Sequence, residues 1–277
     1  MYKQMEIYGP YNCTMNAVSL FLVKNNINID DIYRYNFDIH CSFEEKKISG
    51  AISIPDLFQY VKKNYGYEVR EIEIEDVTVH QYAVVNVDVF YIPGNSYYNV
   101  HHSGHNMLAY WKADDTVDLL DPYFKIEQNL TKEEFTKVFR KGEPVYTFFK
   151  TGEPLKLSEN RLPCIAGKSA SDCYKQAESE LRAILTSIAE KQETEFTVDA
   201  FFGCLRTVEI ARDNYFRNVN ADQDQANKVM VGWKKVLMYY VRMKNNPKFL
   251  NDLMKEVNEV FEHEMAYLES LQEVECS

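Results

Sequence analysis

A cysteine near the start of the chain has the setting of a chemically reactive group. Cys13 stands immediately before the helix-like run TMNAVSLFLVKNN, so its thiol is expected at a helix N-terminus. Unpaired backbone N–H groups and the helix dipole stabilise a thiolate at that position. Cys13 could therefore serve as a nucleophile, although a small buried helix residue explains the same placement.

A histidine-rich stretch could supply its base. Residues 98–124, YNVHHSGHNMLAYWKADDTVDLLDPYF, hold three of the six histidines within five positions. Gly104 allows a sharp turn before His105, which opens an alternating apolar strand. The KADD turn predicts a hairpin, so the strand TVDLL returns beside the first one. Asp121 is then expected close to His105, where a carboxylate can fix the imidazole tautomer.

Cys13, His105 and Asp121 together are a candidate nucleophile, base and orienting acid. We expect the sulfur of Cys13 to lie within about 4 Å of a His105 ring nitrogen, and Asp121 to bind the other nitrogen. A metal site on His101, His102 and His105 is a second interpretation, but no Cys or Glu pair nearby completes a tetrahedral ligand set. A third makes these histidines polar surface residues. No metal is predicted.

The composition limits the class of protein. The chain has 277 residues, 45% of them hydrophobic, which suits one large domain or two smaller ones. A formal charge of −11 argues against a nucleic-acid partner. The six cysteines form no CxxC pair and are expected to be reduced thiols. No signal-peptide profile and no apolar run of roughly 18 residues is evident, so we expect a cytoplasmic protein without a membrane partner.

The chain divides into two regions that differ in their predicted secondary structure. Residues 1–150 mix helix-like and strand-like runs and predict an α+β domain. Within them, SIPDLFQYVKKNYG predicts a second helix, and Thr131 with Glu134 matches a capping box. Residues 151–168 are rich in turn residues and are interpreted as a linker. Residues 169–277 predict an antiparallel helical bundle.

The order of these motifs resembles that of the papain-like cysteine peptidases: a cysteine before a helix, a histidine opening a strand, then Asp-Pro. The longer stretch VDVFYIPGNSYYNVHHSGHNMLAYWKADDTVDLLDP resembles the N-terminal domain of the butirosin-biosynthesis H protein family. That family also has a helical second half. The resemblance therefore covers nearly the whole chain and is strongest at residues 86–122.

The resemblance implies that residues 1–150 are a papain-like catalytic domain, with an N-terminal helix packed on an antiparallel sheet. In it Cys13 would be the nucleophile, His105 the base and Asp121 the orienting acid. It also implies acyl transfer in natural-product biosynthesis, with no cofactor on the enzyme itself. An acyl group would arrive as a thioester on the phosphopantetheine of an acyl or peptidyl carrier protein and leave as an amide of a diamine or aminoglycoside. A papain-like peptidase or amidase, with water as acceptor, is the alternative. A non-enzymatic binding module is a third hypothesis.

The sequence departs from the papain-like pattern at the oxyanion hole. Papain-like enzymes place a glutamine about six residues before the cysteine, and that position here is Ile7. Gln4 from a longer loop, the adjacent Asn12, or backbone N–H groups including that of Cys13 are the candidates for this role.

Four further residues are candidates for substrate binding. Asp88 precedes the histidine-rich loop and could anchor a substrate ammonium, or it could be a buried hydrogen-bond acceptor. Three tyrosines of the same loop could line an acyl pocket, although such residues commonly pack. They are Tyr91, Tyr97 and Tyr98.

Overall fold

The computed structural model describes residues 13–29, 32, 39–50, 54–122, 124–152, 170–218 and 221–275. The strands are β1 (His40–Ser42), β2 (Lys47–Ser49), β3 (Tyr67–Ile72), β4 (Tyr82–Asp88), β5 (Gly104–Trp111), β6 (Thr116–Asp121), β7 (Ile126–Thr131) and β8 (Val145–Lys150). The α-helices are α1 (Cys13–Lys24), α2 (Ile54–Tyr65), α3 (Lys132–Val138), α4 (Ala170–Ala189), α5 (Glu195–Asn218), α6 (Gln223–Asn245) and α7 (Leu250–Glu275).

The predicted α+β class is confirmed, and the chain forms two compact units. The first comprises residues 1–29 and 53–157, and the second comprises residues 30–52 and 158–277. The first holds a six-stranded antiparallel sheet with the order β3-β8-β4-β5-β6-β7. The second holds the long C-terminal helices.

The β5–β6 hairpin has the geometry that the KADD turn predicted. Leu108 pairs with Leu120 and Trp111 with Val117 in an antiparallel register. Asp115 takes the left-handed conformation, with φ +59°, that such tight turns require. The hairpin therefore brings the end of β6 back beside the beginning of β5.

Helix α1 is buried along most of its length, in agreement with its apolar sequence. Residues 14–22 are all buried, the polar Thr14, Asn16 and Ser19 among them. Phe21 stacks on Phe148 of β8 with ring centroids 3.7 Å apart. Because the helix is packed on the sheet, the position of its first residue is fixed relative to the strands.

The other two helices of this unit also follow their sequence signals. Helix α2 ends at Tyr65, and Gly66 follows in the left-handed conformation with φ +71°, where glycine is favoured. Helix α3 begins with the predicted capping box, in which Thr131 and Glu134 satisfy each other's backbone N–H groups. Buried Phe135 and Val138 of α3 pack with the apolar residues of the sheet.

The division of the chain differs from the predicted boundaries, because residues 30–52 belong to the helical unit. Ile39 and Ile48 of the β1–β2 segment are buried in the same apolar cluster as residues of α4 and α5. At Gly50 a Cβ atom would lie 2.9 Å from the Cα of Val208, so glycine permits this close approach. Strands of three residues give too short a pattern to assign from sequence. The predicted linker 151–168 lies outside the described residues beyond Gly152.

A buried ion pair lies among the helices of the second unit. Arg212 of α5 and Glu264 of α7 are both fully buried. The guanidinium binds the carboxylate through Nε to Oε1 at 2.6 Å and Nη2 to Oε2 at 2.9 Å. Trp233 of α6 donates its indole N–H to the same carboxylate at 2.6 Å. One polar cluster thus joins three helices. No described helix has an apolar stretch long enough to cross a bilayer.

The contact between the antiparallel helices α6 and α7 depends on a glycine. A Cβ atom at Gly232 would lie 2.7 Å from Cγ2 of Val260, a buried and rotationally stiff side chain. We expect Gly232→Ala to lower the free energy of unfolding by about 1–2 kcal/mol, because overpacking exceeds the gain in helix propensity.

Thermal and urea denaturation would measure this change. Gly203→Ala in α5 is the matched control, because a Cβ atom there meets open space. The control should raise stability by about 0.5–1 kcal/mol. A Gly232→Ala variant as stable as the Gly203→Ala control would contradict the expected clash.

Candidate active site

The structure brings Cys13, His105 and Asp121 together. Cys13 is the first residue of α1, His105 is the second residue of β5, and Asp121 is the last residue of β6. The thiol of Cys13 is hydrogen-bonded to the imidazole of His105. Two neighbouring strand ends and one helix N-terminus therefore supply the three side chains, and the hairpin had predicted the closeness of His105 and Asp121.

The imidazole is held from both sides. Nε2 of His105 is hydrogen-bonded to Oδ2 of Asp121, which leaves Nδ1 for the sulfur of Cys13. Asp121 is buried, with 2% of its surface exposed, and its Oδ1 accepts the backbone N–H of Phe124 at 3.1 Å. The carboxylate therefore fixes both the tautomer and the direction of the ring.

The electrostatics favour a thiolate–imidazolium pair. Burial by itself raises the pKa of Cys13, but hydrogen bonds with His105 and with the backbone of Asn106 and Thr14 outweigh it and lower the pKa. Burial by itself lowers the pKa of His105, but hydrogen bonds with Asp121 and Cys13 raise it to about 9. A thiolate is the nucleophilic form of cysteine, so these contacts favour the reactive form of Cys13.

These shifts predict the pH dependence of Cys13 alkylation. The ion pair forms as the pH rises through the lowered pKa of Cys13 and is lost as His105 deprotonates near pH 9. Cys13 should therefore react with iodoacetamide at pH values where ordinary thiols are protonated. Cys41 provides an internal comparison, because burial and the carboxylate of Glu180 raise its pKa to about 12.

Peptide mapping by mass spectrometry across a pH series would resolve the individual thiols. His105→Ala should move the midpoint for Cys13 upward, because the largest effect that remains is burial. The same midpoint in wild type and His105→Ala would show that the imidazole does not stabilise the thiolate.

A chain of hydrogen bonds, not foreseen from the sequence, connects the sheet to the N-terminus of α1. Asn86 of β4 donates from Nδ2 to Oδ1 of Asn106 at 2.8 Å. Asn106 of β5 donates from Nδ2 to Oγ1 of Thr14 at 2.7 Å. Because Thr14 follows Cys13 and Asn106 follows His105, this chain holds the two reactive residues in register. Asn86 and Asn106 are each a polar residue within an otherwise apolar strand, and this sequence feature could have predicted the chain of hydrogen bonds.

The oxyanion-hole candidates Gln4 and Asn12 lie outside the described residues. Within the described part, two backbone N–H groups bind the sulfur of Cys13. One belongs to Thr14 in the first turn of α1, and the other belongs to Asn106 of β5. Such groups are the type of donor that stabilises an oxyanion.

The four predicted substrate-binding residues lie in the segment that leads to β5. Asp88 accepts the backbone N–H of Phe90 at 3.0 Å and pairs with Nδ1 of His102 at 2.7 Å. Its carboxylate is thus already engaged by the chain itself. The three tyrosines are between 40% and 47% exposed, so their rings face solvent to a large extent. They are Tyr91, Tyr97 and Tyr98.

The three clustered histidines have different partners and do not converge on one point. His102 pairs with Asp88, His105 with Cys13 and Asp121, and the ring of His101 lies near that of Tyr97. Within the described ranges, no group of three or more His, Cys, Asp or Glu side chains has a metal-binding arrangement.

No protein-family model matches this sequence, and no curated protein is significantly similar to it.

Proposed function

We propose that this chain is a cysteine-dependent acyltransferase of papain-like fold that forms amides from carrier-bound thioesters. The observation that carries the proposal is the hydrogen-bonded series from Cys13 through His105 to the buried Asp121. It unites a lowered thiol pKa with a proton donor and an orienting carboxylate. Those are the requirements of covalent catalysis at an acyl carbon.

In the first half-reaction the thiolate of Cys13 attacks the thioester carbonyl of the donor. A new C–S bond forms, and the oxyanion is stabilised by backbone N–H groups at the start of α1. Collapse breaks the C–S bond to pantetheine, and the imidazolium of His105 protonates the departing thiolate. The products are an acyl-Cys13 and a neutral His105. Exchange of one thioester for another requires no external energy source.

In the second half-reaction a primary amine attacks the acyl-Cys13. The C–N bond forms, the C–S bond breaks, and His105 accepts a proton from nitrogen, so that the resting ion pair is restored. An acyl or peptidyl carrier protein would supply the donor. The acceptor would be a diamine or an aminoglycoside, as the family resemblance implies. The motifs also resemble the amide synthetase of closthioamide biosynthesis, which acylates a diamine.

Intact-protein mass spectrometry would test the proposal. Wild type and Cys13→Ala would be mixed with acetyl-, octanoyl- and benzoyl-pantetheine, and ethylenediamine or an aminoglycoside would follow. The expected result is a mass gain of one acyl group on wild type alone, discharged by the amine into an amide. Discharge by water alone would instead assign a papain-like peptidase or amidase. No adduct with any donor would favour a binding module.

A further inference from the structure

A second histidine–carboxylate pair lies beside the proposed catalytic set. The imidazole of His102 is bound through Nδ1 to Oδ2 of Asp88 at 2.7 Å. The ring also stacks on Phe90, with centroids 4.1 Å apart and planes inclined by 16°. Asp88 is itself fixed by the backbone N–H of Phe90. Asp88 therefore orients one edge of the His102 ring, and Phe90 orients one of its faces.

The free edge of this imidazole points to solvent. The side chain of His102 is 61% exposed. Among the residues that the structure describes, none is bonded to its Nε2. An imidazole with one nitrogen on a carboxylate and the other open to solvent has the arrangement of a general base, because the carboxylate orients the ring toward an incoming donor.

The backbone of Asp88 lies at the beginning of the strand that carries His105. Asp88 is the pairing partner of Gly104, the residue before His105, in the β4–β5 register. The next residue, Val89, donates its N–H to the carbonyl of Ser103 at 3.0 Å. The strand that carries His105 thus begins directly beside Asp88.

Aminolysis of the acyl-Cys13 requires two protons to leave the nitrogen. An alkylamine has a pKa of about 10 and arrives as an ammonium ion, which must lose one proton before it can attack. The tetrahedral intermediate then loses the second. His105 accepts one proton and restores the resting ion pair. Its two nitrogens face Cys13 and Asp121, so a second base close to the acyl-enzyme would speed the loss of the first proton from the arriving ammonium.

We propose that His102, oriented by Asp88 and Phe90, is the base that removes the first proton from the acceptor ammonium. The N–H bond of the ammonium breaks, its proton binds Nε2 of His102, and the electron pair remains on nitrogen for attack on the acyl carbon. The imidazolium then releases the proton to solvent. Asp88 is a positioning residue in this scheme. The inference rests on the proposed acyltransferase function.

The test separates the two half-reactions. Acyl-enzyme would be prepared with octanoyl-pantetheine for wild type, His102→Gln and the control His101→Gln, an exposed neighbour in the same loop. Discharge would be followed by mass with ethylenediamine and with methoxyamine, which is neutral at pH 7 and has one proton fewer to lose. We expect His102→Gln to slow discharge by ethylenediamine about 100-fold while acylation and discharge by methoxyamine are unchanged.

Imidazole rescue adds a measurement that a structural role would not change. Added imidazole should restore discharge by ethylenediamine in His102→Ala, because the open site is exposed to solvent. Normal discharge by His102→Gln from a formed acyl-enzyme would overturn this inference and leave the acyltransferase proposal intact. Equal slowing with both amines would also overturn it, because the defect would then not concern the ammonium proton. Failure of wild type to form an acyl-enzyme would overturn both.

Discussion

Cys13→Ala is expected to reduce amide formation by about 10⁴- to 10⁶-fold. Without the nucleophile, only substrate binding and the backbone N–H groups remain to accelerate the reaction. Asp121→Asn should also reduce amide formation, but its loss should be about 10- to 100-fold smaller than that of Cys13→Ala, because an orienting group is partly replaceable. The measurement is the initial rate of amide formation with saturating donor and amine.

The control for this series is Cys204→Ala, a half-buried thiol on α5 of the helical unit. It should retain wild-type activity, and all variants should keep the wild-type far-UV circular dichroism spectrum. Activity of Cys13→Ala within tenfold of wild type would rule out a covalent route through this thiol. A loss for Asp121→Asn as large as that for Cys13→Ala would show that Asp121 does more than orient the ring.

Glu264→Gln is expected to destabilise the helical unit by about 3–5 kcal/mol, because it leaves the fully buried guanidinium of Arg212 without its counter-charge. Trp233 would lose a charged acceptor as well. Urea denaturation followed by the helical circular dichroism signal measures the effect. The surface variant Glu262→Gln, on the exposed side of α7, alters the net charge equally and should change stability by less than about 0.5 kcal/mol.

A double variant distinguishes the buried charge from the loss of packing. Arg212→Met combined with Glu264→Leu removes both charges while retaining volume, and should recover most of the stability lost in Glu264→Gln. A Glu264→Gln protein with the wild-type denaturation midpoint would mean that the buried pair contributes nothing to the fold.

The sequence predicted the proposed catalytic set because each of its three members lies next to a strong local signal. Cys13 precedes an apolar helix, His105 opens a strand after Gly104, and Asp121 ends the strand after a recognisable turn. A hairpin has a fixed register, so the closeness of His105 and Asp121 follows from local rules. The contact of Cys13 with this hairpin is long-range, and its prediction came from the chemistry of the three side chains and the family resemblance.

The features that the sequence did not predict are those fixed by distant parts of the chain. The pairing of Asp88 with His102 depends on how a loop of polar and aromatic residues folds back on a strand end. Arg212 lies in line with the apolar positions of α5, including Val208 and Tyr215, which was the available sign of its burial. Its partner Glu264 is 52 residues away, and no local pattern specifies that distance.

The early position of the β1–β2 hairpin has a consequence for synthesis on the ribosome. Ile39 and Ile48 emerge long before the helices that bury them. Val208 follows Ile48 by about 160 residues, which corresponds to about 8–30 s of translation at typical rates. Until α4 emerges, shortly before Val208, the hairpin has none of its helical partners, and both isoleucines are open to aggregation or to binding by a chaperone. A message truncated before α4 would leave them permanently uncovered, so fragments that end after the sheet are expected to be poorly recovered although they contain Cys13, His105 and Asp121.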